Sequence, residues 1–297
     1  MLVAAPPAWR RLETAPAAKV TMKRKWAVIL MLCLAAAGWL AAPVAGSAAE
    51  IWFTPHSGLY RMSLANAEAS SGIIGASGEM YFEWLDACDG WNVNQHTSLI
   101  LATSQDTNNQ IGLTFSGWEA KDGMKLRFQA SHFANGDMID NIVGEASLAA
   151  AGGAGSVVYT KPDAHVEALP EGVLFPSEYS RRMMARMRAG KSGYTALMFD
   201  GASLEGIYEV STVFAAPRMH APPGAASDAG AEAAADEKVW PVRMAYFSLQ
   251  GGDSEPDFEV GALINGFGVA HRYDIDYGNF AVLAVLENYE EIAPPDC

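Results

Sequence analysis

The chain has 297 residues, half of them hydrophobic, and 34 acidic against 20 basic side chains give a formal charge of −14. That apolar content is too high for an intrinsically disordered chain and ample for a large core. The acidic balance sets the surface against nucleic acid and anionic lipid headgroups, and so excludes binding to either by bulk charge.

The first 21 residues have no signal character. From Met22 the chain runs through basic Lys23-Arg24-Lys25, an apolar stretch from Trp26 to Leu40, Pro43 and the small residues Ala45 to Ala49. Ser47 and Ala49 fit the −3 and −1 places of a cleavage site, so the pattern predicts a secretory signal peptide removed near Ala49, with Met22 as a candidate start. The competing reading is a membrane anchor, but about 15 apolar residues is short for a span. A lipoprotein signal would need a small residue before Cys33, where Leu32 stands. The expected location is therefore the periplasm.

Removing residues 1–49 takes six of the 20 basic residues and one of the 34 acidic ones, Glu13, which moves the formal charge from −14 to −19. Only Cys88 and Cys297 then remain. In an oxidising compartment two such cysteines are most simply a disulfide; a metal pair, which lacks CxxC spacing, and two free thiols are the alternatives.

Alternating apolar and polar residues predict strands at 57–67, 77–86 and 91–102. Ile111 to Trp118 and Met124 to Gln129 alternate on either side of Asp122-Gly123, a strong hairpin signal. Asn135-Gly136 marks a second such turn, followed by strands at 138–149 and 156–160. Residues 177–189 then read as a helix, with Pro176 before it, Ser177 as its cap and Gly190 at its end. Tyr179, Met183 and Met187 recur every four residues, and Met184 widens the apolar stripe. This face is either packed on a sheet or forms a flexible methionine-lined lid over an apolar groove, the candidate binding surface.

Residues 185–192, ARMRAGKS, match a relaxed phosphate-loop pattern. A phosphate loop needs a helix to begin after it, whereas here a helix ends, so phosphates would meet the negative end of the helix dipole. No nucleotide is expected. Further strands follow at 194–199 and 206–214, then an acidic Ala/Pro/Gly-rich stretch at 215–238 that predicts a disordered loop. Strands at 241–250, 257–264, 267–275 and 279–286, with a turn at Asn265-Gly266, complete the chain. More than ten strands with no crossover helices predict an all-β-dominated fold. This is a long antiparallel sheet wound into an open spiral or barrel, with one or a few packed helices, in a single domain over 50–297.

Catalytic signals are thin. Ser77 and Ser203 sit in sequences resembling a nucleophile elbow but lack its final glycine and its strand–helix context. The six histidines, His56, His96, His132, His165, His220 and His271, have no metal-binding spacing. Asp274 and Asp276 would share a face of one strand and touch a cation, although the spacing of a calcium loop is absent. Trp52, Trp84, Trp91, Trp118 and Trp240 suit either a carbohydrate platform or the core. No cofactor and no metal are expected.

Three groups of short motifs then carry a family resemblance. They are Pro55 to Leu64 with Gly78 to Tyr81 and Cys88-Asp-Gly-Trp91, and Leu169 to Pro176 leading into the methionine helix and Phe199-Asp-Gly201. The third is Pro241 to Phe247 with Pro256 to Glu259, Asp276 to Phe280 and the terminal Cys297. The chain resembles the EipB-type cell-envelope integrity proteins over nearly all of 51–297, apart from its long 215–238 insert. The resemblance implies a periplasmic protein of Gram-negative bacteria and an open spiral barrel similar to that of lipoprotein carriers. It also implies a disulfide between Cys88 and Cys297 and no established enzymatic activity. The implied role is envelope integrity, and the first reading of how it is met is a non-catalytic protein whose curved sheet holds an envelope protein, a lipoprotein or a lipid. An envelope hydrolase or transglycosylase with a carboxylate pair is the alternative.

Overall fold

The structure is a computed structural model that describes residues 53–105, 107–204, 206–221, 237–249 and 254–297. The leader read at 22–49, Trp52 and most of the acidic insert lie outside the described residues.

The first half of the domain is an eight-stranded meander. It comprises β1 (His56–Ala67), β2 (Ile73–Asp86), β3 (Gly90–Thr103), β4 (Asn108–Ala120), β5 (Lys125–Ala134), β6 (Asp137–Leu148), β7 (Gly155–Lys161) and β8 (His165–Leu169). The second half begins with β9 (Val173–Leu174), α1 (Pro176–Arg188), β10 (Gly193–Phe199), β11 (Ile207–Phe214) and β12 (Arg218–His220). It ends with β13 (Glu237–Ser248), β14 (Phe258–Asn265), β15 (Ala270–Asp276) and β16 (Phe280–Glu291).

All of these strands join one 16-stranded sheet. The two meanders meet where β1 pairs antiparallel with β16, so the first and last strands lie side by side in mid-sheet. The two ends of the sheet are β8 and β9, consecutive in the chain and separated only by residues 170–172. That short link draws the edges together and leaves the sheet nearly closed, as expected of a wound barrel. Every pairing is antiparallel except β9 with β10.

Side-chain parity sets the inside. In β5, Leu126, Phe128 and Ala130 are buried while Lys125, Arg127 and Gln129 are exposed; in β16, Phe280, Val282, Ala284 and Leu286 turn inward. So many strands enclose more space than a single layer of side chains fills. Aromatic rings and α1, the one α-helix among the described residues, occupy it. Phe53 stacks on Trp84 with centroids 4.2 Å apart, and Tyr246 stacks on Phe258 at 4.3 Å. Each such side chain, fully buried, contributes about 1.5–3 kcal/mol.

Two sequence expectations need correction. Residues 218–220 are not loop: they pair with 237–239, so the insert leaves and re-enters the sheet as a ribbon. The short strands β8 and β9 were also not foreseen. β8 is an exposed edge strand with one buried residue and β9 has two residues, so neither shows a usable alternation.

Candidate functional site

α1 starts at Pro176, whose missing N–H is one that a helix end leaves unpaired anyway. The preceding Phe175 has no polar side chain to cap the turn. Glu119, the inward-facing residue near the end of β4, supplies the cap. Its carboxylate accepts the Ser177 N–H at 2.6 Å and the Glu178 N–H at 2.9 Å. The sequence pointed to Ser177 as the cap, but with Pro176 as the first helical residue Ser177 lies within the helix and donates its own N–H. Burial pushes the Glu119 carboxyl up to about 7, against the opposing pull of these N–H groups. Burial also acts on Glu178, but hydrogen bonds from Arg181 and Arg182, at 2.7 and 2.6 Å, outweigh it and hold that carboxyl below its ordinary value.

The other end of α1 closes on Gly190, in the left-handed region at φ 69°. Gly190 N–H donates to the Met187 carbonyl and Lys191 N–H to the Arg186 carbonyl. ARMRAGKS is therefore a helix C-terminus, where carbonyl oxygens rather than N–H groups face Lys191.

Between these ends, the candidate apolar surface is wholly inside the domain. Tyr179 is 2% exposed, and Met183, Met184 and Met187 are each 1% exposed. The Tyr179 hydroxyl lies 2.6 Å from Thr212 Oγ1 and donates to the Val210 carbonyl at 3.3 Å, which ties α1 to β11. In this arrangement the methionine face is core packing and offers no open surface.

The two cysteines come together. Cys88, in the turn between β2 and β3, is bonded to Cys297 with Cα atoms 5.8 Å apart across a sequence separation of 209. Lys121 braces the same turn through a 2.7 Å ion pair with Asp86, whose other role is to accept the Cys88 N–H.

The remaining candidates are scattered and already engaged. Asp274 is held by Arg272 at 2.8 Å and Asp276 lies 3.7 Å from Arg243, both on the outside of the sheet. Ser77 lies within β2, and Ser203 is buried beside Tyr208 at 3.1 Å. His56 and His132 are buried apart from each other, whereas His220 and His271 come within 5.5 Å, with Glu237 2.6 Å from His271. Among the described residues no group of three His, Cys, Asp or Glu side chains is arranged to hold a metal. Trp84, Trp91 and Trp240 are core residues, while Trp118 is half-buried and faces outward. The residue that sequence reasoning missed is Glu119; strand parity with inward Leu113 and Phe115 was the available signal.

Comparison with known proteins covers most of this domain. The EipB-like family matches residues 47–293. The chain is 26% identical over 247 residues to the cell envelope integrity protein EipB of Brucella abortus (strain 2308), covering 82% of this chain and 86% of that protein. A crystal structure of a β-barrel-like protein of a domain of unknown function, also from Brucella abortus, superposes with a TM-score of 0.73 at 22% identity. That superposition covers 82% of this chain and all of the other, and supports the barrel-like fold.

Proposed function

This chain belongs to the EipB-like family, and from that premise we propose that it is an exported, periplasmic, non-catalytic protein that supports cell-envelope integrity by holding another envelope component. The observation that carries the reading is the match along nearly the whole domain to a relative named for envelope integrity. The Cys88–Cys297 bond supports export, because such bonds persist in oxidising compartments. The non-catalytic reading is supported by how the acids are used. An envelope hydrolase or transglycosylase working by two carboxylates needs a close pair of them open to substrate. Asp274 and Asp276 are instead held by arginines, and Glu119 is enclosed at the head of α1.

The component held is another envelope protein, a lipoprotein or a lipid. Because the methionine face is buried, contact is made from the outside of the sheet unless α1 swings away. Crosslinking in intact cells followed by purification of the protein tests this. A specific envelope protein, lipoprotein or lipid recovered from the periplasmic fraction supports the reading; recovery of the protein itself from the cytosol alone refutes it.

A further inference from the structure

We infer that the outer face of strands β3 to β7 is a binding groove for an uncharged glycan strand. The register of the sheet assembles it. In one row across the sheet, Asn94 faces Ser116 and Ser116 faces Gln129. In the next row Asn92 faces Trp118, Trp118 faces Arg127, Arg127 faces Glu145 and Glu145 faces Val158. These side chains line a groove of about 800 Å³. The second row crosses five strands and, at about 4.8 Å spacing, is roughly 20 Å long, enough for several sugar rings end to end.

The groove has a shaped floor. Gly144 points inward, where a Cβ would lie 2.6 Å from the Phe128 ring and 2.9 Å from the Val158 carbonyl, so Phe128 packs directly beneath the strand and closes the floor there. Gly90 leaves room for the Trp118 indole, whose nitrogen lies 2.4 Å from where a Cβ would stand. The Arg127 guanidinium lies over that indole, 4.1 Å from the ring centroid, and has no ion-pair partner among the described residues. A planar, exposed guanidinium backed by an aromatic ring keeps its donors aimed outward. Asn94 is also pre-set: it donates to Glu83 at 2.9 Å and accepts from Ser116 at 2.8 Å.

The chemistry of the lining selects the ligand. Primary amides, a guanidinium, a carboxylate and hydroxyls offer paired donors and acceptors that match neighbouring sugar hydroxyls. The exposed Val158 adds an apolar step for the C–H face of a sugar ring, while Trp118, covered by Arg127, serves by holding that guanidinium in place. A lipid chain would leave these polar groups unpaired on desolvation. A peptide adding to a sheet needs a free strand edge, and β3 to β7 are each paired on both sides. Nucleic acid is opposed by the chain's charge of −14.

The inference deepens the envelope reading, and rests on it only for where such a ligand is met; binding by purified protein fails or succeeds without reference to compartment. The probes are hexamers of β-1,4-linked glucose and of β-1,4-linked N-acetylglucosamine, titrated into the purified protein by calorimetry. We expect saturable binding of at least one, weakened about tenfold, or ~1.4 kcal/mol, by Trp118→Ala. Gln129→Ala, whose exposed side chain is outside the core, should weaken binding while leaving the melting temperature unchanged, and Arg127→Ala, which also removes the stack on Trp118, should weaken binding as well. No binding of either hexamer at millimolar concentration overturns the proposal, as does binding that all three variants retain in full. Capture of phospholipid vesicles or of a peptide that is lost in the same variants would also overturn it, by assigning the groove to another ligand class.

Discussion

Glu119 on β4 accepts the backbone N–H of Ser177 at 2.6 Å and so joins the wall of the barrel to the buried head of the helix packed against it. The carboxyl is completely buried and its pKa stands at about 7, above the value of 4.5 it would have in an open chain. A carboxyl raised in this way contributes stability that is fully present below the unfolded pKa and is lost as pH rises through the folded one. The window is therefore about pH 4.5 to 7, and the contribution is on the order of 3 kcal/mol. Glu119→Gln keeps an acceptor for the helix and removes the titration. The difference in unfolding free energy between wild type and Glu119→Gln should shift against wild type as pH rises from 5 to 8. Denaturant melts across that range check it, and a pH-independent difference would contradict it.

Cys88→Ser tests the pin between the β2–β3 turn and the C-terminus. Closing a loop of 209 residues is worth at most roughly 5 kcal/mol in the chain-entropy treatment, and native bonds commonly deliver less. A loss of a few kcal/mol is expected by chemical denaturation, matched by the reducing agent acting on wild type. Peptide mapping of exported protein without reductant should recover the linked pair; two free thiols in that material would contradict the assignment.

Met183→Leu with Met187→Leu addresses the helix face. Both side chains are 1% exposed, so volume-conserving replacement should cost under about 1.5 kcal/mol each and leave partner or lipid recovery from crosslinked cells unchanged. Loss of recovery with the melting temperature preserved would instead identify α1 as a moving lid.

Lys191→Ala should alter neither stability nor function. The lysine follows a helix C-terminus, and its N–H is already donated to the Arg186 carbonyl. Calorimetry should detect no ATP or GTP binding by either protein; micromolar affinity abolished by the substitution would reverse this reading.

Much of the architecture was legible because strand alternation is a local property. The β4–β5 and β5–β6 hairpins announced themselves through Asp122-Gly123 and Asn135-Gly136, and the helix through Tyr179, Met183 and Met187. What was not legible depends on pairing between distant segments. Nothing local says that β1 lies beside β16, and the cap on α1 comes from a residue 58 positions earlier in the chain. The groove on the outer face is an extreme case. Asn92, Trp118, Arg127 and Glu145 become neighbours only through the registers of three successive strand pairs. The disulfide pairing was legible because Cys88 and Cys297 are the two cysteines left once the leader is removed, and the resemblance to the EipB-type proteins implied the same bond.

The most direct measurement is complementation of a strain lacking this protein, plated on detergent. The account expects the strain to lose viability, with rescue by the full chain and none by a version that starts after Ala49 and stays in the cytoplasm. Undiminished viability of the deletion strain, or full rescue by the leaderless version, would contradict a periplasmic role in envelope integrity.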